Sequence, residues 1–344
     1  MKKSVLFFLL INCGFVSSQD FHVSQILQSI NLINPAAVGV YDGWERIAVQ
    51  QRNQWLGGAA TFMTSSVTAD AVLLKSDRNP KAHLGIGLQF YNDIAMNSGF
   101  GQQNGSLIVN GILPAGNGHQ FSLGIQAGMG NRSGKASRLL YDSQWNGEAF
   151  DASIASGESG TLNSFMYIDA SSGIMYQFDG RKSTFARSND MKLQIGFSGY
   201  HLNAPEMRYR TGSTERLARK YVGMIRYSMD IPSSKLAFDA HFAQFVQGGH
   251  YESILGLILR YRFESGGMIT GLNQDAFIGF GSYVRFKDAI SPTIQVDWRG
   301  FHFGVSYDIT LSALRYGYKG GSLEFCLAYT NLKNALFKTR RRAR

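Results

Sequence analysis

Residues 301–310, FHFGVSYDIT, place a large apolar side chain at every odd position: Phe301, Phe303, Val305, Tyr307 and Ile309. His302, Gly304, Ser306, Asp308 and Thr310 lie between them. A two-residue period describes an extended strand with one apolar face and one polar face. The same alternation runs through Leu84–Phe90, Phe121–Met129, Leu193–Phe197 and Ile290–Trp298. It is less clean near 254–263, where Ile254 and Ile258 share a face with Arg260 and Arg262. With weaker stretches included, the pattern predicts strands at 44–52, 60–75, 82–92, 99–113, 119–131, 164–178 and 191–200. It continues at 218–229, 236–246, 251–263, 276–286, 290–298, 300–309 and 321–329.

After the first eighteen residues no apolar run is long enough for a membrane helix. The pattern therefore predicts an all-β fold, a transmembrane antiparallel β-barrel of about 14 strands spanning 44–330. Closure leaves no strand edge in lipid, where each unpaired backbone group costs several kcal/mol. A soluble β-sandwich also alternates, but it does not turn large apolar side chains outward on nearly every strand. Trp44, Trp55, Phe90, Tyr91, Tyr261, Phe263, Trp298 and Tyr329 sit near strand ends, as in an interfacial aromatic girdle. With both termini periplasmic, the turns near 114–118, 230–234 and Arg299–Gly300 are short on the periplasmic side. The long connections 132–163 and 201–217 then face outward, and only 264–275 is too long for its side.

Composition adds three constraints. Six prolines against 39 glycines suit a chain of long strands and tight turns. Lys2 and Lys3, the apolar run from Val5 to Val16, then Ser17 and Ser18 form a secretory signal peptide over 1–18, with cleavage before Gln19. A lipidated Cys13 would want a small residue before it, where Asn12 stands. Export leaves Cys326 alone, so no internal disulfide is expected. The formal charge is +10, and Lys338, Arg340, Arg341, Arg342 and Arg344 concentrate part of it in a C-terminal tail over 331–344. Such a tail is either solvated or turned toward an acidic partner or membrane surface. An exported chain does not meet a genome, so no nucleic-acid partner is expected.

Catalytic and metal chemistry find little support. The seven histidines show no metal-ligand spacing, and no metal or cofactor is expected. Gly128 to Ala136 fails as a phosphate loop, because Met129 and Ala136 stand where glycine and a hydroxyl residue are required. His302, Ser306 and Asp308 share one strand face, but His302 and Ser306 are four extended residues apart, about 13 Å, too far for a hydrogen bond. Their expected place is the polar inner face. The inner face also carries Tyr91 and Tyr283, so the lumen is expected to be at least partly filled.

Several motifs occur in order: Gln19, Asp20, His22, Ser24 and Gln25; Asn34 and Pro35; Arg52, Asn53, Gln54 and Trp55. His201 and Pro205 follow, then Ser306, Tyr307 and Asp308. Together they resemble the PorP/SprF family of the type IX secretion and gliding machinery, from residue 19 to about 330. Phe21 stands where that family usually has proline, and Leu323-Glu324 replaces a common His-Glu pair. The resemblance implies a non-enzymatic barrel at the cell outer membrane that supports export and surface anchoring of a cognate secreted protein, often an adhesin, through its C-terminal domain. It also implies contact with lipid and with other type IX components. A PorP-like role coupling the membrane to the periplasmic ring is the alternative, and a passive solute porin is a third reading. The stretch 19–43 is expected to plug the lumen, to contact a periplasmic partner, or to be a flexible leader. Tyr141, Trp145, Phe150, Arg208 and Tyr209 in the long connections are candidate partner-binding residues, because aromatics and arginine anchor interfaces.

Overall fold

A computed structural model describes residues 20, 23–26, 28, 30–55, 61–76, 81–96, 99–134, 139, 141–151, 153–157, 163–182, 191–209, 212, 214–265, 275–312 and 320–332. Residues 1–18, where a signal peptide is expected, Gln19, His22 and the basic stretch beyond Leu332 lie outside the described residues.

Fourteen antiparallel strands form one closed barrel. They are β1 (Glu45–Gln54), β2 (Phe62–Leu73), β3 (His83–Ala95), β4 (Gly101–Gly116), β5 (His119–Ser133), β6 (Phe165–Asp179) and β7 (Met191–Tyr200). The ring continues through β8 (Lys220–Asp230), β9 (Leu236–Gln247), β10 (His250–Glu264), β11 (Ala276–Arg285), β12 (Ala289–Trp298), β13 (Phe301–Thr310) and β14 (Ser322–Thr330). Each overlaps one stretch expected from alternation. Consecutive strands pair, and β1 pairs with β14 from Arg46 opposite Thr330 to Asn53 opposite Leu323, which closes the wall.

Burial is inverted relative to a soluble protein. On β13, Phe301, Phe303, Tyr307 and Ile309 are exposed, whereas His302, Ser306 and Asp308 are buried. The same inversion holds on β5, where Leu123 and Ile125 face out and Ser122 and Gln126 face in. This is the arrangement of a wall with hydrocarbon outside and polar groups inside. Parity corrects one girdle assignment: Phe90 faces out, so Tyr91 faces in, where its hydroxyl accepts a bond from Gln102 Nε2 at 2.6 Å.

The rim where β1 begins and β14 ends is called here the terminal rim, and the opposite one the distal rim. Connection lengths separate the two less cleanly than the sequence pattern predicts. The terminal rim carries tight turns at 117–118 and 299–300 but also the longer connections 74–82, 180–190 and 265–275. The distal rim holds the two longest connections, 134–164 and 201–219, together with the Gly248–Gly249 turn.

The interior is occupied by the chain that precedes β1. Val23–Ile26, the short helix α1 (Ile30–Ile33) and residues 34–40 are buried within the ring. Inward glycines make the room. A Cβ on Gly124 would stand 2.4 Å from the Pro35 carbonyl carbon, and one on Gly85 would stand 2.4 Å from the Val38 oxygen. Gly173 and Gly196 flank the Asn34 side chain in the same way. Apolar residues of this segment, among them Val23, Ile26, Ile30 and Ile33, pack with Ile112, Met224, Ile254 and Tyr283 of the wall.

Because the atoms facing Gly124 are backbone, they have no rotamer with which to retreat. Gly124→Val is therefore expected to unseat residues 34–38 while leaving the outward face and the closed ladder intact. Limited proteolysis of the purified barrel checks this: cleavage within 20–44 appears in the variant and is absent from the parent.

Candidate functional site

The segment enters from the terminal rim and reaches the distal one. Near the terminal rim the Trp44 amide donates to the Asn331 carbonyl, at 3.0 Å. Arg46 spans Asp70 (3.0 Å) and the Asn31 side-chain oxygen (2.8 Å), and the same Asp70 accepts the Gly39 amide at 2.9 Å. Deeper, Asn110 Nδ2 donates to the carbonyls of Ala36 (2.8 Å) and Val38 (2.7 Å), and Ser122 donates to the Ala36 carbonyl. Asn34 accepts the Ala36 amide and donates to the Ile174 carbonyl, fixing the turn Pro35–Ala37 against β6. These bonds answer the cost of burying irregular backbone, whose polar groups have no ladder partner.

Toward the distal ends of β1, β13 and β14 the segment meets a charge cluster. Arg52 on β1 lies 2.8 Å from Asp308 on β13 and 3.2 Å from Glu324 on β14, with both guanidinium and carboxylates essentially solvent-free. Arg285 adds a second cation on Asp308 at 2.9 Å. Ser24 and Gln25 complete the set. Their amides donate to the two Glu324 oxygens at 2.8 and 2.7 Å, and the Ser24 hydroxyl donates to Asp308 at 3.0 Å. Gln25 Nε2 also reaches Ser306 (3.3 Å), and its side chain sits over Gly304, where a Cβ would clash with its oxygen at 2.2 Å. His302, Ser306 and Asp308 are thus each engaged with different partners, since His302 pairs with Asp297 at 2.6 Å.

A third cluster holds the start of the segment at the distal rim. Asp20 lies 2.8 Å from His201 Nε2, 3.6 Å from Arg132 and 3.6 Å from Lys220, and its amide donates to Gln247 Oε1 at 3.1 Å. The other His201 nitrogen lies 2.9 Å from Asp169. His201 stands in the connection after β7 with φ of 55°. Burial alone would push its imidazole down, but the carboxylates of Asp20 and Asp169 overcome this and raise it to about 9.

The candidate partner-binding residues fall into two groups. Trp145 and Phe150 pair across an isolated bridge, edge to face at 5.1 Å, and remain 49% and 47% exposed. Asn146 caps the turn between them by accepting the amides of Glu148 and Ala149. Tyr141 is half-buried at the start of the same loop, which Gln144 ties together through the Tyr141 amide and the Ile154 carbonyl. Tyr209 instead packs on Phe165 at 4.9 Å, in a cluster with Tyr167, Met207 and Leu217. Arg208 is exposed and pairs with Glu206 at 2.9 Å. Of the motif residues, Asp20, Ser24, Gln25, Asn34, Arg52, His201, Ser306 and Asp308 all converge on the filled lumen. Pro35 packs against Gly124, Asn53, Gln54 and Trp55 are half-buried near the distal rim, Pro205 accepts the Leu217 amide, and Tyr307 faces outward. Asp70, Asn110 and Asp169 escape motif reading, and Glu324 entered it only within a departure from the family pattern, although each stands on the polar parity of its strand. Among the described residues no group of three or more His, Cys, Asp or Glu is placed to hold a metal ion.

A family profile described as type IX secretion system membrane protein PorP/SprF matches residues 15–329. No curated protein sequence matches the chain. Among solved structures, the Pseudomonas putida toluene transporter TodX is similar at 9% identity and TM-score 0.46, over 92% of this chain and 96% of that one. The translocator domain of the Neisseria meningitidis autotransporter NalP is similar at 12% identity and TM-score 0.39, over 85% and 90%. BamA from Haemophilus ducreyi lacking POTRA domains 1–3 is similar at 10% identity and TM-score 0.42, over 84% and 70%.

Two measurements test the clusters. Removing one partner of a buried ion pair strands the other charge, so Glu324→Gln is expected to destabilise the barrel by about 3–5 kcal/mol, read as a shift in its urea unfolding midpoint. The His201 contribution has a defined sign, because its folded value lies above the unfolded 6.5. It is fully present below pH 6.5 and is lost as pH rises through about 9. The melting temperature of the parent is therefore expected to fall across that window more steeply than that of His201→Gln.

Proposed function

Because the chain belongs to the PorP/SprF family of type IX secretion system membrane proteins, we propose that this outer-membrane barrel supports export and surface anchoring of a cognate secreted protein, an adhesin, through that protein's C-terminal domain. The role is non-enzymatic. In this reading the distal rim faces outward, which presents the connections 134–164 and 201–219 at the cell surface and leaves the end of β14 at the periplasm. Asp20, held at the distal rim, then lies on the surface side, so the expectation that both termini are periplasmic is kept for the C-terminal end alone. Lipid covers the outward apolar band, and other type IX components meet the barrel at its rims.

The observation that carries the proposal is the filled lumen. A solute porin needs an open aqueous path, whereas here Ser24, Gln25 and Asn34 bond directly to the wall across it. Work on a partner then falls to the rims, where Trp145 and Phe150 offer an exposed aromatic pair on a braced loop. Such side chains anchor interfaces through large apolar contact at low entropy cost.

Deleting the gene and measuring cell-surface proteins tests the role. Loss of one surface adhesin, with other type IX cargo retained, is the expected result. Loss of all type IX export would favour the coupling role at the periplasmic ring instead. Trp145→Ala with Phe150→Ala is expected to release the adhesin into the medium while the barrel stays folded and inserted. In planar bilayers the parent is expected to conduct near background, and a variant lacking 20–40 well above it.

A further inference from the structure

The inner wall neutralises its charges almost completely. Apart from Arg226, the inward-facing arginines and lysines of the described residues each have a carboxylate within 3.6 Å, from Arg46 on Asp70 to Arg285 on Asp308. Arg226 on β8 is the exception. It makes no hydrogen bond or ion pair among the described residues, and its Nε is buried without an acceptor.

Its neighbours share the deficit. The register places Gln194 of β7, Arg226 and His241 of β9 side by side on one inward row, with Ser228 one step nearer the terminal rim. His241 is 1% exposed, yet neither ring nitrogen has a partner. Gln194 donates to Gln177 at 2.7 Å, but its own oxygen is buried and unpartnered, as is the Ser228 hydroxyl. Four adjacent side chains from three strands therefore point unsatisfied polar atoms into one part of the lumen. Each such atom carries a desolvation cost of about 1–3 kcal/mol when left unpaired, so the arrangement calls for an occupant.

We infer that this row is a binding site for a hydrogen phosphate group, held by Arg226, Ser228, His241 and Gln194. Arg226 and Ser228 supply donors, and a guanidinium fork matches phosphate oxygens in charge and geometry. His241 in its neutral form supplies one donor and one acceptor. Gln194 Oε1 and the accepting His241 nitrogen require a ligand that also donates. A P–OH does so, whereas sulfate and acetate at neutral pH carry no proton to give. Two carboxylates near the row are already committed: Asp239, opposite Ser228, to Arg260 at 2.9 Å, and Asp297, within electrostatic reach of Arg226, to His302 at 2.6 Å. Lys192, within electrostatic reach of Arg226, adds a second positive charge while pairing with Asp42 at 3.6 Å. Arg226 is only partly buried, which leaves the row open to water on that side.

Isothermal titration of the purified full-length barrel in detergent, at fixed ionic strength and pH 7, tests the site with inorganic phosphate, sulfate, acetate and glycerol phosphate. The expected result is saturable one-to-one binding of phosphate, weakened about tenfold or more in Arg226→Gln, in line with loss of a charge-assisted bond. Arg226→Lys keeps the charge without the fork and is expected to bind at intermediate strength. It also serves if the glutamine variant fails to fold. Binding of inorganic phosphate alone assigns the free ion, and equal binding of glycerol phosphate assigns a phosphomonoester. Absence of saturable binding means that water fills the row and overturns the inference. So does binding unchanged by Arg226→Gln, or sulfate bound as tightly as phosphate.

Discussion

The pairing of Arg52 with Asp308 and Glu324 is the interaction on which the interior depends. Three charges sit almost free of solvent inside a ring whose outer face is apolar. Buried charges persist only when their remaining hydrogen-bonding capacity is also met, and the wall meets only part of it. Gln50 and Arg52 of β1 each reach one Glu324 oxygen, and the amides of Ser24 and Gln25 add a second donor to each. The charged wall and the N-terminal segment are thus complementary halves of one polar core.

That complementarity explains why inward glycines recur. A strand face that must admit a second layer of chain cannot carry a Cβ at every closest approach, and Gly85, Gly124, Gly173 and Gly304 mark those approaches. Elsewhere the inner face carries bulk, as with Tyr283, whose ring covers Gly256. The segment between Asp20 and Trp44 consequently has little helix or sheet of its own. Its shape is set by side-chain amides and hydroxyls such as Asn110, Ser122 and Ser198 that take its carbonyls.

The barrel was legible in the sequence because each strand needs only local alternation. Phe301 to Thr310 announces its two faces without reference to any other part of the chain. The interior was not legible in the same way. Arg52 and Glu324 are 272 residues apart, and Ser24 joins them only once the ring has closed. The sequence counted Tyr91 both as a strand-end aromatic and, by parity, as an inner-face residue, and in β3 the inward reading holds. The motif residues Asp20, Ser24, Asn34, His201 and Asp308 stood out individually, but their common address became apparent from the contacts. The loop residues divide for a physical reason as well: Trp145 and Phe150 brace one another at a turn, while Tyr209 finds a cluster to bury into.

The register of the closing seam carries a consequence for how the ring forms. Arg52 and Glu324 are directly opposite one another across the β1–β14 junction, the single place where the first and last strands meet. The residues that dock the inner segment are therefore the residues that lock the ring. Until β14 arrives, Ser24 and Gln25 have no acceptor at Glu324. Without those two residues, the seam closes on a carboxylate with Gln50 and Arg52 as its side-chain donors among the described residues. Circularisation of the wall and occupation of its interior are thereby linked, because a ring that is shut yet hollow gives Glu324 two donors fewer than the filled one.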